Sequence, residues 1–362
     1  MNEQYNRQII LPEVGLIGQK KLLNSHVLCV GAGGLGSPVL FYLASAGIGK
    51  ITLVEADRIS KSNLGRQILF GSDDAGKKKG EISKNRIEYL NKDVELFWID
   101  EFINSDNAIS IAKNCDVIID CSDNFSTKFL LNDLSYKLAI PLVFGSISQL
   151  EGQIAVFDNR TSGSACYRCL YKDIPESNIQ NCAEAGILGP VAGIIGSYQA
   201  LETIKLILQN DKLTTLNSKI VHLDFKTNSF SSFKIKKISD CKTCSLSRET
   251  FELRSNQSSN RCKQNSITKQ EMESLISKEN TVIIDVREND EFIEKKINNS
   301  INLPLSKLNN PDYLKKNSHF FENSKNAIIV CKSGIRSQKA LSILKNRFTC
   351  QFFNLEGGII NY

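Results

Sequence analysis

The feature that most narrows the fold is a short apolar run, His26 to Val30, that breaks into Gly31-Ala32-Gly33-Gly34-Leu35-Gly36. A helical pattern comes next, from Ser37 to Ala46, and a second apolar run, Ile51 to Val54, ends at Glu55. Strand, glycine turn, helix, strand is the opening unit of a doubly wound parallel sheet. Glycine lets the backbone turn tightly against phosphates, and the amide hydrogens at the helix start favour negative charge. Glu55 stands where such units place the acid that meets a ribose. Taken alone, the turn suggests a dinucleotide dehydrogenase, with a purely structural bend as the alternative.

Further apolar runs at Val94–Ile99, Val117–Asp120 and Leu142–Phe144 fit additional parallel strands, with helical segments at Gly80–Leu90 and Thr127–Lys137 between them. Gln153–Phe157 and Ile220–Phe225 read as later strands. Between Ser245 and Ser266 the sequence turns polar and rich in Ser, Asn and Arg, a linker composition. A second α/β pattern begins after it, with strands at Val282–Val286 and Ala327–Cys331 and a helix at Gly334–Lys345. The expected organisation is a Rossmann-like domain over 1–245, a linker over 246–266 and a small α/β domain over 267–362.

The N-terminus, Met1 to Ile10, has no apolar core of a signal peptide, and a cytoplasmic location is expected. The nearest approach to a spanning helix, Pro190–Leu208, carries Gly193, Gly196, Glu202 and Lys205 and reads as a buried helix instead. The net charge of +6 includes the run Lys77-Lys78-Lys79, but aromatics do not interleave with the basic runs as in a single-strand groove. Direct nucleic-acid binding and membrane partners are therefore not expected. With 11 cysteines and no secretory signal, metal or thiol chemistry is favoured over disulfides. None of the three histidines sits at a metal-ligand spacing or beside a nucleophile.

The residues beyond the second strand argue against hydride transfer. Ser62-Asn63-Leu64-Gly65-Arg66-Gln67, then Lys79, then Asp123-Asn124 after a buried run, together suit a triphosphate with magnesium. Cations offset charge on the phosphates and on departing pyrophosphate, and a carboxylate holds the metal. Taken singly each could be surface, and Asp123 could merely cap the next helix.

Two pairs, Cys166-Tyr-Arg-Cys169 and Cys241-Lys-Thr-Cys244, offer four thiolates, which suit a closed structural zinc site. One pair alone would also suit redox chemistry. Cys331-Lys332-Ser333-Gly334-Ile335-Arg336-Ser337 lies between an apolar strand and a helix. Amide hydrogens, the helix dipole and the Arg336 charge are expected there to favour a thiolate or persulfide. Cys182, in Asn181-Cys-Ala-Glu-Ala-Gly186, stands in a small-residue loop; a buried inert thiol is its plain alternative.

Tyr5-Asn6-Arg7-Gln8-Ile9-Ile10-Leu11, the glycine turn, Ser62–Gln67, Cys121–Asn124 and Glu151-Gly152-Gln153 resemble the MoeB/ThiF/HesA family, relatives of ubiquitin-activating enzymes, over about residues 1 to 245. The resemblance implies that Gly31, Gly33, Gly34, Gly36, Glu55, Asp57, Asn63, Arg66, Gln67, Lys79, Asp123 and Asn124 bind MgATP. It implies that Arg7 reaches a neighbouring subunit's ATP in a homodimer, and that the two CxxC pairs meet at one zinc. Cys182 resembles a crossover-loop cysteine that bonds the activated carrier. Ile283–Arg287, Ser300–Pro304, the Cys331 loop and Leu355-Glu356-Gly357-Gly358 resemble the rhodanese family. The tryptophan that usually follows the double glycine is absent, and Tyr362 stands near its place.

The implied function is ATP-dependent adenylation of the C-terminal glycine of a ubiquitin-like sulfur carrier, followed by persulfide transfer from Cys331. A MoaD-type carrier of molybdopterin synthesis leads; a ThiS-type carrier or a tRNA-thiolation carrier would use the same chemistry. A cysteine desulfurase or other sulfane-sulfur donor is expected to load Cys331. Outside this chemistry, an NAD-dependent oxidoreductase or a non-catalytic sulfur-storing scaffold remain as alternatives.

Overall fold

The computed structural model describes residues 3–161, 163–172, 186–254, 266–278, 280–332 and 334–362. The chain divides into two compact units, Met1–Ser255 and Asn256–Tyr362.

The first unit is built on an eight-stranded sheet of order β3-β2-β1-β4-β5-β6-β7-β8. Its strands are β1 His26–Val30, β2 Lys50–Val54, β3 Glu95–Ile99, β4 Val117–Asp120, β5 Leu142–Ser148, β6 Glu151–Phe157, β7 Lys219–Asp224 and β8 Ser229–Lys234. The first five in that order run parallel, and β6 to β8 return antiparallel. Helices cover both faces, which is why β1 and β4 are continuously apolar rather than alternating. Val27, Cys29, Leu53 and Ile119 face a layer holding the helices Gly36–Ala46 and Gly189–Leu208. Leu28, Val30, Ile118 and Phe144 face the helix Phe125–Leu138.

The expected elements lie within a few residues of their observed bounds, and β8 is an addition. Its sequence, Ser-Phe-Ser-Ser-Phe-Lys, carries no apolar period; backbone pairing with β7 makes it a strand at the sheet's edge. The long apolar helix has length and composition enough to cross a membrane, yet packs Val191, Ala192, Ile195 and Leu206 into the core. Part of the stretch read as linker is also packed: Phe251 is buried and meets the Tyr136 ring edge-on at 5.6 Å.

The second unit is a five-stranded parallel sheet of order β11-β10-β12-β13-β9. The strands are β9 Ser266–Ile267, β10 Thr281–Asp285, β11 Ser300–Asn302, β12 Asn326–Val330 and β13 Gln351–Leu355. β12 is fully buried, with the helix Ile335–Leu344 starting just after its end. A buried ion pair braces the neighbouring β10 end: Arg287 Nη2 lies 2.6 Å from Asp285 Oδ2, and its Nη1 donates to the Glu291 carbonyl.

Candidate active site

In the first unit β1 and β4 are neighbours, and the helices after them lie on opposite faces. A crevice opens at such a reversal, beyond the carboxyl ends of the strands. It is lined by Gly31, Gly33, Gly34, Glu55, Asp57, Arg66, Gln67, Lys79, Asp123 and Asn124. Residues spread over nearly a hundred positions thus meet in one cleft.

The glycine turn has a visible steric reason. Gly31 holds φ +98°, and a Cβ on Gly36 would lie 2.1 Å from the Gly31 carbonyl oxygen. Gly36 therefore closes the turn and does not line the cleft. Glu55 is buried, its two oxygens accepting from the Ala32 and Asp57 amides at 2.9 and 2.8 Å. It ties the glycine turn to the end of β2. Lys79 is buried, with its ammonium 3.0 Å from the half-exposed Asp57 carboxylate. Asn63 lies outside the cleft lining and accepts from the Ser60 amide at 3.3 Å, shaping the turn that delivers Arg66. Arg7 is exposed on the helical turn Asn6–Ile9 and lines no part of this chain's cleft.

The capping role open to Asp123 belongs to its neighbour. Asn124 Oδ1 accepts from the Thr127 amide at 2.9 Å and starts the helix Phe125–Leu138. Asp123 is exposed and has no hydrogen bond or ion pair among the described residues. A free carboxylate at the cleft suits a hard cation such as magnesium.

Sequence reasoning missed Lys128, which also lines the cleft. Its ammonium is 2.9 Å from Asp120 Oδ2, donates to the Gly145 carbonyl at 2.8 Å and sits 4.9 Å from the Phe144 ring centre. Asp120 is fully buried, and its Oδ1 accepts from the Ser122 amide and hydroxyl. The turn carrying Asp123 hangs on this pair. A lysine one turn into a helix gives no signal of such a role. Cys121 and Cys29 are buried with sulfurs 3.9 Å apart, and burial pushes the Cys121 thiol well up.

The four cysteines of the CxxC pairs meet, with their sulfurs all within 4.8 Å of one another. Cys166 is 3.5 Å from Cys241 and Cys169 is 3.4 Å from Cys244, and the Ile238 amide points at the Cys169 sulfur at 3.4 Å. Four sulfurs so close, with an amide donor to one, fit tetrahedral zinc with no open position.

In the second unit Cys331 is buried at the end of β12. Its sulfur receives the Gly334 amide at 3.1 Å and lies 3.3 Å from the Ser337 hydroxyl, which donates to Asn354. Arg336, expected to favour an anion at the sulfur, is engaged in an ion pair. Its guanidinium is forked onto Glu291 at 2.5 and 2.7 Å and holds that carboxyl below its ordinary range. The double glycine is steric: Gly358 has φ +60°, and a Cβ there would lie 2.3 Å from the Cys331 carbonyl oxygen. Cys182 lies outside the described residues, as does Ser333.

Residues 5–244 match the ThiF family and residues 268–362 match the rhodanese-like domain. An "adenylyltransferase and sulfurtransferase MOCS3" from Culex quinquefasciatus is 35% identical over 95% of this chain and 82% of its own length. A "sulfur carrier protein adenylyltransferase" from Thermus thermophilus is 40% identical over 67% of this chain and 90% of its own. Among solved structures, E. coli MccB with ATP aligns at a TM-score of 0.59 and 23% identity, covering 68% of this chain and 75% of that one. That last likeness is one of fold.

Proposed function

The chain belongs to the ThiF family, carries a rhodanese-like domain behind it and is an adenylyltransferase with sulfurtransferase activity; we propose that it activates the C-terminal glycine of a ubiquitin-like sulfur carrier, MoaD-type in the first instance, and passes sulfur to it. The observation that carries this reading is the cleft itself, where Arg66, Lys79 and Asp123 converge beside a glycine turn. Two cations and a free carboxylate suit a triphosphate and a divalent ion; hydride transfer needs neither.

The carrier's carboxylate attacks the α-phosphate of ATP, forming an acyl-phosphate bond and releasing pyrophosphate. Arg66 and Lys79 offset the charge that gathers on the departing group. For Lys79 this means exchanging Asp57 for phosphate oxygens. Magnesium, held by Asp123, would neutralise further phosphate charge. Arg7, exposed and outside the lining of its own cleft, serves the neighbouring subunit of a homodimer. Zinc in the cysteine tetrad is structural.

A sulfane-sulfur donor such as a cysteine desulfurase converts Cys331 to a persulfide. The Gly334 amide and the start of the helix Ile335–Leu344 favour the anion. The terminal sulfur attacks the carrier acyl-adenylate, giving an acyl disulfide and AMP. A thiolate at Cys182 then breaks the sulfur–sulfur bond. The thiocarboxylate leaves, and a Cys182–Cys331 disulfide remains for a dithiol to reduce. Joining the donor to the adenylating domain by one chain raises its local concentration.

The test is ATP–pyrophosphate exchange with MoaD-type and ThiS-type carriers ending in Gly-Gly. Exchange should require one of them and vanish in Asp123→Ala. Folded, zinc-loaded protein that gives no exchange with any carrier would defeat the proposal for the cleft.

A further inference from the structure

The helix Phe125–Leu138 carries a feature that the adenylation chemistry does not use. Asp133, well past the cap at Asn124, is buried, 1% exposed, among residues of both CxxC loops. Its carboxylate receives Arg168 Nε and Nη2, both at 2.9 Å. It also receives the Thr243 hydroxyl at 2.7 Å and Asn132 Nδ2 at 3.1 Å. Arg168 lies between Cys166 and Cys169, and Thr243 lies between Cys241 and Cys244. Asn132 and Thr243 are fully buried, and Asn132 Oδ1 accepts the Tyr167 amide at 2.7 Å.

A charge removed from water this completely persists only when its partners are fixed. Here the partners are the midpoints of two loops that lie more than seventy residues apart in the chain, at Arg168 and Thr243. A metal assembling such loops from a disordered state must overcome their conformational entropy. A carboxylate that already holds both loops removes much of that cost. We infer that Asp133 is the positioning residue of the cysteine tetrad, gripping both CxxC loops through Arg168 and Thr243 so that the four sulfurs stand together for the metal. The inference rests on the reading that the tetrad binds zinc. Asp133 is not one of the four clustered ligand residues; it acts through the loop residues between them, as outer-shell partners do.

The test measures zinc affinity in the full chain by competition with a chromophoric chelator, beside the folded signal of each variant. Asp133→Asn keeps the side-chain shape and removes the charge that Arg168 and Thr243 converge on. It should weaken zinc binding by about 10- to 100-fold, the usual cost of losing an outer-shell partner. Thr243→Val, nearly isosteric, should weaken it in the same direction by a smaller factor. Asp158→Asn, which breaks the ion pair of Arg160 with Asp158, should leave it unchanged. Folded Asp133→Asn with the affinity of the parent would overturn the inference. If Asp133→Asn does not fold, Thr243→Val decides, and unchanged affinity there overturns it equally. A parent chain that takes up no zinc would instead refute the metal reading, a distinguishable result.

Discussion

Lys128→Met tests whether the turn at the cleft hangs on a buried charge. Lys128 and Asp120 are 5% and 0% exposed at their side chains, and their charged atoms are 2.9 Å apart. Removing the ammonium leaves Asp120 Oδ1 with its two Ser122 hydrogen bonds and strips Oδ2 of its partner. It also takes the donor from the Gly145 carbonyl. Breaking a buried pair from one side costs about 3–5 kcal/mol, because an uncompensated charge stays behind. Removing both charges with Lys128→Met and Asp120→Asn together should recover most of that loss. The chain's single tryptophan, Trp98, lies in β3 and donates to the Glu55 carbonyl at 2.8 Å, so its fluorescence in urea follows the first unit. ATP–pyrophosphate exchange measured in parallel should fall in the single variant below what the folded fraction explains, since Ser122 and Asp123 share the turn held by Asp120. A single variant within about 1 kcal/mol of the parent, or a double variant no better than the single, would refute the reasoning.

Three further outcomes are expected. Gly358→Ala forces a Cβ to within 2.3 Å of the Cys331 carbonyl oxygen at a left-handed φ. It should abolish thiosulfate-to-cyanide sulfur transfer while leaving the Trp98 transition in place; retained transfer would count against the tight loop. Stripping zinc should lower ATP–pyrophosphate exchange, because both CxxC loops grip the helix Phe125–Leu138 whose start follows Asp123, and re-addition should restore it. Chelation without effect on exchange would separate the tetrad from the cleft. Glu291 is held below its ordinary value of 4.5, first by its hydrogen bonds to Arg336. A depressed carboxyl contributes stability that is complete above its unfolded value and lost as pH falls through the folded one. Glu291→Gln should therefore reduce the second unit's stability at neutral pH and flatten its decline below about pH 4.5, as read by hydrogen exchange in that unit. An unchanged acid limb would place the linkage elsewhere.

What could be read from the sequence was local in the chain. The glycine turn, the CxxC pairs and the Cys331 loop each fit within seven residues, and the chemistry they need is written in adjacent positions. The parallel strands were legible because burial on both faces leaves continuous apolar runs such as Val117–Ile119. The rest depended on partners brought from far away. Asp133 waits for Arg168, 35 residues on, and Glu291 for Arg336, 45 residues on. Even Arg336, five residues after Cys331, pairs with the distant Glu291, a partner that a loop motif does not disclose. β8 was missed for a related reason: an edge strand held by backbone pairing needs no apolar period.

Both units solve the same problem of gathering residues from distant segments, and the parallel sheet supplies the solution. Neighbouring strands lie about 4.8 Å apart, so the turns that leave their carboxyl ends are neighbours whatever their distance in sequence. β1 and β4 pair in register from Val27–Val117 to Val30–Asp120, which sets Gly31 beside Cys121 and brings the glycine turn to the turn of Asp123. A Cβ on Gly31 would in fact lie 2.9 Å from the Cys121 carbonyl oxygen. In the second unit β12 and β13 pair from Asn326–Gln351 to Ile329–Asn354. That register delivers Gly358 to the Cys331 carbonyl, where the next residue, Ile359, donates its amide at 2.8 Å. Strand register therefore decides which turn residues meet in each unit. A one-residue slip of β4 or β13 would turn each buried side chain to the opposite face and move the following turn by a residue's rise. The continuous burial of β12, and of β1 beyond His26, stabilises the sheets and at the same time fixes the positions of the turns that carry Gly31 and Cys331.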